Sequence, residues 1–302
     1  MGNVWDAMKK HQAQQARPSE AQPTRAPADV SSAAERSAES AGVTSIGDGA
    51  SSSSNVVTAS TVVTAGGGTV ISQSGGRGVT NNYSPLLITH HDRGGVLAEE
   101  YRSLRTNLLS QRHDQRFCYM VTSADIGEGK TITCANLAVI MAERQDCRTI
   151  VVDFDLRRRM LANVFRGRLS PGVADVLRNS AKLNYAIQPT VYPNLFFMSA
   201  GEVRPEDVGE LVTRPELEEL VANLRRQFDY VLLDTPPMNI VAETGMIGRA
   251  VGEALLVVRM NKTRRDSVDK AIRLLHAANI KVSGLVMTHR AFHIPEYLYK
   301  YS

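Results

Sequence analysis

The chain has 302 residues, 43% of them hydrophobic, and a formal net charge of +4. That is enough apolar matter for a sizeable core in one or two domains, and too sparse a positive charge for a duplex-binding surface. Three scattered cysteines without a CxxC pair, a start without a hydrophobic signal core and the lack of any run near the ~18 apolar residues of a membrane span point to a cytoplasmic chain.

Residues 1–12 have the pattern of a short amphipathic helix, with Val4, Trp5 and Met8 on one side. From there to residue 84 the composition collapses into Ser, Ala, Gly, Thr and Val. Such a segment buries too little apolar surface to offset the cost of ordering its backbone, so 13–84 is expected to be a disordered linker. Those first 84 residues hold six basic and six acidic side chains, which leaves the charge excess to the remainder. His90, His91 and Asp92 have no second ligand group at metal-site spacing and are expected in a solvated turn.

Patterning returns at 85. Leu97, Tyr101, Leu104 and Leu108 recur at three- and four-residue steps, which predicts a helix over 96–111. Strands are predicted at "FCYMVTSA", "RTIVVDFD", "LFFMSA", "DYVLLD", "GEALLVVRM" and "IKVSGLVMT". Helices are predicted at 130–143, around 206–212, at 215–228 and at 264–279. Buried β-branched strands alternating with helices mean an α/β fold: a mostly parallel sheet covered on both faces, with ligands bound beyond the carboxyl ends of the strands.

One such end reads "ADIGEGKT". It fits the P-loop pattern except that Ala124 stands in place of the first glycine. The cofactor-binding run is Asp125, Ile126, Gly127, Glu128, Gly129, Lys130, Thr131 and Ile132. Glycines let successive N–H groups curl around phosphate oxygens, and the following helix aims its positive end at the same anion. Lys130 is placed to reach the β- and γ-phosphates, and the Thr131 hydroxyl to ligate Mg²⁺. Two further strands end in carboxylates. "VVDFD" offers Asp153 and Asp155, about 7 Å apart by strand rise if the chain stays extended. "YVLLD" offers Asp234. Asp207 and Asp269 fall in helical patterns and are expected at the surface.

"IGEGKT", "VVDFDLR" and "LLDTPP", in this order, resemble the three Walker motifs of the bacterial tyrosine kinases, the P-loop kinases of capsule and exopolysaccharide synthesis. "EEYRSLRTNL" is similar to the stretch that precedes the P-loop in that family, and "YLYKY" to the tyrosine cluster that ends its members. The resemblance covers 85–302 and divides it into a kinase domain, 85–290, and a tail, 291–302. It implies ATP and Mg²⁺ as cofactors, with Asp155 and Asp234 holding the metal. It also implies Asp153 as the acceptor of the tyrosine proton, Lys130 as a catalytic group and Arg157 as a group that positions phosphates. It implies a homo-oligomeric ring with Glu99, Arg102 and Arg105 at the interface. A membrane polysaccharide co-polymerase of the chain-length-determinant type would be the activating partner, with membrane contact made only through it and no nucleic acid involved. Tyr297, Tyr299 and Tyr301 would be the phosphoacceptors, labelled in trans. By spacing alone a terminal edge strand or a frayed chain end is the better reading of these three tyrosines.

Two other readings compete. Nucleotide switches of the chromosome-partitioning and division-site type share the fold and the Walker motifs. They carry a signature lysine five residues before the P-loop lysine, where this chain has Asp125. A non-catalytic scaffold with structural ATP is the third reading, and the intact lysine, threonine and carboxylates argue against it. The resemblance also shows departures: Ile126 where the family often has Pro, Glu243 where it often has Asp, and Thr288 where it commonly has Asn near the base.

Overall fold

The structure is a computed structural model that describes residues 83–112 and 116–289. The predicted N-terminal helix, all but the last two residues of the predicted linker and the three tail tyrosines lie outside the described residues. Among these residues no helix is long and apolar enough to cross a membrane.

Two helices come first, α1 (Ile88–His91) and α2 (Val96–Ser110). Strand β1 (Phe117–Ser123) leads into α3 (Lys130–Met141), and β2 (Thr149–Asp153) into the short helices α4 (Leu161–Phe165), α5 (Val173–Leu177) and α6 (Leu183–Ala186). Strands β3 (Ile187–Pro189) and β4 (Leu195–Met198) are followed by α7 (Val208–Val212) and α8 (Glu216–Gln227). Then come β5 (Tyr230–Asp234), α9 (Glu243–Val251), β6 (Glu253–Arg259), α10 (Arg265–Ala277) and β7 (Lys281–Thr288). The seven strands form one sheet in the order β3-β4-β2-β5-β1-β6-β7. Every pairing is parallel except that of β3 with β4.

The sheet has a core on each face, and strand alternation assigns side chains to one or the other. In β5, Val231 and Leu233 join Leu177, Leu211, Leu220, Leu224 and Ile247 from α5, α7, α8 and α9. Tyr230 and Leu232 join Tyr101, Leu104, Leu137, Ile140 and Phe165 from α2, α3 and α4 on the other face. β1, β2 and β5 are buried along their whole length, which is why their sequences are near-continuous apolar runs.

The structure departs from the sequence-based expectations in five places. His90 and His91, expected in a solvated turn, belong to α1, and His90 is half-buried with its Nδ1 2.7 Å from the Tyr192 hydroxyl. The buried face of α2 is Ala98, Tyr101, Leu104 and Leu108, and Leu97 sits at its margin. β2 stops at Asp153 rather than running on through Asp155. Tyr83, assigned to the linker by composition, is buried, meets the Phe165 ring edge-on at 5.6 Å and accepts the Val191 amide at 3.0 Å. The helices α4, α5, α6 and α9 and the strand β3 carry too little periodic signal to be read in advance; four of them are five residues or fewer.

Candidate active site

The loop between β1 and α3 turns on two left-handed glycines, Gly127 at φ 80° and Gly129 at φ 92°. A side chain at either position would be strained. The turn leaves Gly129 as the N-cap of α3, so Lys130 is that helix's first residue. An unobstructed helix start with glycine-curled amides before it is an anion cradle. A cavity of about 310 Å³ opens there, lined by Gly127, Gly129, Lys130 and Thr131 among others.

Glu128 braces this loop from inside and is only 2% exposed. Its carboxylate accepts the Asp125 amide at 2.8 Å and the Thr263 hydroxyl from the turn after β6. Its carbonyl accepts the Thr288 hydroxyl at 2.7 Å, from the end of β7. Thr288, where the resemblance commonly has Asn, therefore holds the phosphate loop to the last strand. Asp125 is half-buried and Ile126 is exposed at the tip, while Ile132 lies in the first turn of α3.

The acidic residues come from β5, which pairs with β1, and from β2, the next strand beyond it. Asp153 at the end of β2 is in register with Asp234 at the end of β5, and both are 0% exposed. Lys130 reaches toward them: its Nζ lies 2.7 Å from Asp155 Oδ2 and 3.8 Å from Asp234 Oδ1. Burial opposes the lysine's charge, but Asp234 and Asp155 outweigh it and raise its pKa. Asp234 is pushed up to about 6, chiefly by burial, with Lys130 pulling the other way. Burial and the neighbouring Asp234 raise Asp153 well above the usual carboxylate range.

The three carboxylates differ in what they hold. Asp153 accepts the Asp155 amide at 3.1 Å and the Leu161 amide at 2.9 Å, so both its oxygens face backbone. That follows from the end of β2: the chain turns after Asp153 instead of staying extended, and the side chain caps the turn. Asp155 joins Lys130 to the next loop by accepting the Arg158 amide at 3.2 Å. Asp234 has both oxygens buried without a hydrogen bond of ordinary geometry.

A buried carboxylate left without a donor is costly unless something else completes it. Among the described residues no three His, Cys, Asp or Glu side chains converge as a protein-only metal site. Mg²⁺ is usually held by one or two carboxylates together with phosphate oxygens and water, so the donors here fit Mg²⁺ bound with a nucleotide. Asp234, Asp155 and Thr131 would hold it, and the metal would offset charge on the phosphates.

The remaining predicted site residues lie farther out. Arg157 donates to Glu243 Oε1 at 2.5 Å and is not among the residues that line the phosphate cavity. Arg102 forks onto Glu143 at 2.7 and 3.1 Å and meets Glu99 at 3.1 Å. Arg105 reaches the same Glu143 at 2.9 Å and the Ile140 carbonyl at 2.8 Å. The set Glu99, Arg102 and Arg105 thus has a first role inside the chain, clamping α2 to the end of α3. Asp207 and Asp269 sit in exposed pairs with arginines, as expected.

Sequence reasoning did not single out three residues. Asn136, fully buried in α3, accepts the Thr89 amide and donates to the Leu86 and Ile132 carbonyls, fixing α1 against the P-loop helix. Thr263 has no motif around it. Arg158 belongs to "LRRRM", a run whose sequence fits a contact with phosphate or a neighbouring subunit and at least as well a solvated loop; it lines the phosphate cavity. Only the isolated polar Asn136 within "TCANLAVIM" offered any advance signal.

A family model described as ParA, the NUBPL iron-transfer P-loop NTPases, matches residues 115–300. The chain is 31% identical over 210 residues to EpsB of Ralstonia nicotianae, covering 66% of this chain but only 28% of that protein's length. It is 31% identical over 191 residues to the tyrosine-protein kinase YwqD of Bacillus subtilis, covering 63% of this chain and 80% of YwqD. The solved kinase domain of the Escherichia coli tyrosine kinase ETK superposes with a TM-score of 0.64 at 27% identity, covering 70% of this chain and 84% of that one. Sheet order, phosphate loop, lysine and paired carboxylates agree with this kinship, and the chain belongs to the bacterial tyrosine-kinase family, within the ParA-type P-loop NTPases.

Proposed function

We propose that the protein is an ATP-dependent tyrosine autokinase that phosphorylates Tyr297, Tyr299 and Tyr301 of a neighbouring copy and regulates exopolysaccharide or capsule polymerisation and export. The observation that carries this reading is the Lys130 ammonium set against Asp155 at 2.7 Å and Asp234 at 3.8 Å at the start of a glycine-curled helix. Phosphoryl transfer needs mainly positioning and charge stabilisation, and this arrangement supplies both. Lys130 holds β- and γ-phosphate oxygens. Thr131, Asp155 and Asp234 complete the Mg²⁺ site. Asp153 takes the proton of the acceptor hydroxyl. Its raised pKa supports that role, because a carboxyl that gains a proton readily is the better acceptor. Each of its oxygens accepts one backbone amide and keeps a further lone pair for the incoming proton.

The phosphoacceptor role rests on the sequence, in which three of nine tyrosines occupy the last six residues. β7 ends at Thr288, whose hydroxyl bonds the phosphate loop, so the last described strand ends beside the site. A ring of copies with Glu99, Arg102 and Arg105 at the boundary would pass each tail to its neighbour. A membrane polysaccharide co-polymerase would act as activator and as the link to the membrane. The division-site and partitioning ATPases are the alternative, and Asp125 in place of their signature lysine disfavours it.

The test is phosphosite mapping by mass spectrometry of the full chain with ATP and Mg²⁺, beside Lys130→Met. Phosphate on the tail tyrosines of the wild type only is the expected outcome. A mixture of tailless active protein with full-length Lys130→Met should label the latter, which establishes the trans reaction. ATP turnover with no phosphotyrosine, even with a co-polymerase's cytoplasmic segment present, would shift the reading to the nucleotide switch.

A further inference from the structure

Three consecutive arginines follow Asp155, and the turn they form gives each a different setting. Arg157 is committed to Glu243 at 2.5 Å. Arg159 takes a left-handed backbone, φ 53°, which completes the turn. Arg158 lies between them. Its amide donates to the Asp155 carbonyl at 3.0 Å and to Asp155 Oδ1 at 3.2 Å. The other oxygen of that carboxylate holds Lys130 at 2.7 Å. One side chain therefore ties the base of Arg158 to the P-loop lysine. The Arg158 side chain is exposed and lines the same 310 Å³ cavity as Gly127, Lys130 and Thr131. Its guanidinium has no ion pair or hydrogen bond among the described residues.

Charge balance makes this position consequential. Lys130 is already matched by Asp155 and Asp234. A triphosphate brings more negative charge than one lysine and one divalent metal neutralise, and the excess lies on the terminal phosphate. Arg166 also borders the cavity but has an interaction of its own. A guanidinium offers a planar fork of donors that matches phosphate oxygens, and it stays protonated throughout the physiological range. We infer that Arg158, and not Arg157, is the side chain that contacts the terminal phosphate of a bound nucleoside triphosphate and lets the site tell a triphosphate from a diphosphate. This rests on the reading of the site as a nucleoside-triphosphate pocket, and is independent of what accepts the phosphoryl group.

The experiment is titration calorimetry of the full chain with Mg²⁺ and either ADP or a non-hydrolysable ATP analogue, for wild type, Arg158→Ala and Arg157→Ala. Arg158→Ala should weaken binding of the analogue by roughly tenfold to a hundredfold, the range of a lost charged hydrogen bond, while ADP affinity stays within about twofold. Arg157→Ala should leave the ratio of the two affinities unchanged. Thermal unfolding of both variants confirms that the fold is intact. Equal loss for both nucleotides, no loss for either, or a changed ratio in Arg157→Ala instead would overturn the assignment. Phosphosite mapping of the same wild-type preparation, incubated separately with ATP, Mg²⁺ and a co-polymerase's cytoplasmic segment, keeps the two readings apart. A shifted ratio without phosphotyrosine upholds Arg158 and refutes the kinase; phosphotyrosine with an unshifted ratio does the reverse.

Discussion

Lys130 and Asp234 show how far a single side chain can be set by its surroundings. Asp234 is fully buried and its carboxyl is pushed up to about 6 from an ordinary 3.8. A carboxyl whose folded pKa lies above its unfolded one stabilises the fold at low pH, and that contribution is lost as pH rises through the folded value. The nucleotide-free protein should therefore lose stability between about pH 4 and pH 6.5 from this group, and Asp234→Asn should flatten that part of the profile. The same substitution should raise nucleotide-free stability at pH 7 by on the order of 1 kcal/mol while removing Mg²⁺-dependent nucleotide binding, a trade expected where a site keeps an uncompensated charge. Urea unfolding across pH reads the first effect, and calorimetry with and without Mg²⁺ the second. Lys130→Met should lower phosphotyrosine formation at least about a hundredfold, measured as the initial rate of labelling, because it removes the cation aimed at the transferring group.

Among the elements, the loop before α3 and the clamp on α2 make different demands. Gly129 sits at φ 92° where an added Cβ would find Thr288 at 3.7 Å, an ordinary contact. The obstacle to Gly129→Ala is thus backbone strain and not space, at about 1 kcal/mol or more. The strain would fall on the amides that face the phosphates, so nucleotide affinity should drop more than stability does, a comparison of calorimetry with thermal unfolding. The α2 clamp is an exposed network: Arg102 and Arg105 share Glu143, whose side chain is a third exposed. Burial would raise the Glu143 pKa, but its hydrogen bonds to Arg102 and Arg105 outweigh that and lower it. Solvent screening limits such pairs, so a double-mutant cycle of Arg102→Ala and Glu143→Ala should return a coupling of about 0.5–1 kcal/mol. That coupling should fade as pH drops through the glutamate's folded value. A clamp of this size can be exchanged for contacts across a subunit boundary at little cost, which is the property a dissociable ring requires.

For the whole molecule, the proposal divides labour between a rigid sheet and a tyrosine tail. Deleting residues 291–302 should abolish phosphotyrosine and leave ATP affinity within about twofold, because every side chain placed at the phosphate site precedes 290. Each tail phosphate adds roughly −1.5 to −2 charges, and crowding them near a subunit boundary should loosen the assembly. Light scattering before and after labelling should show a fall in mass. An unchanged mass on full phosphorylation would separate the kinase activity from any assembly cycle.

The phosphate loop, the helix behind it and the strand-end carboxylates were legible in the sequence because each is a local matter. A glycine-rich turn between an apolar run and a helical pattern, or an acid closing a buried strand, needs only its neighbours to be recognised. The positions of α2, α3, α8 and α10 were legible for the same reason, through their periodicity. What sequence could not supply was the company each residue keeps. Asp153 and Asp155 read as a matched pair along a strand, but the chain turns after Asp153 and gives one carboxylate to backbone amides and the other to Lys130. Three arginines in a row look alike until Glu243, 86 residues further on from Arg157, claims one of them and the cavity takes the next. Thr288 and Thr263 carry no motif, yet both hold Glu128 under the phosphate loop. Local pattern determines which backbone forms and where charge is placed along it. Which charges meet, and which are left facing a ligand, depends on strands brought side by side from distant parts of the chain, and only the tertiary structure decides that.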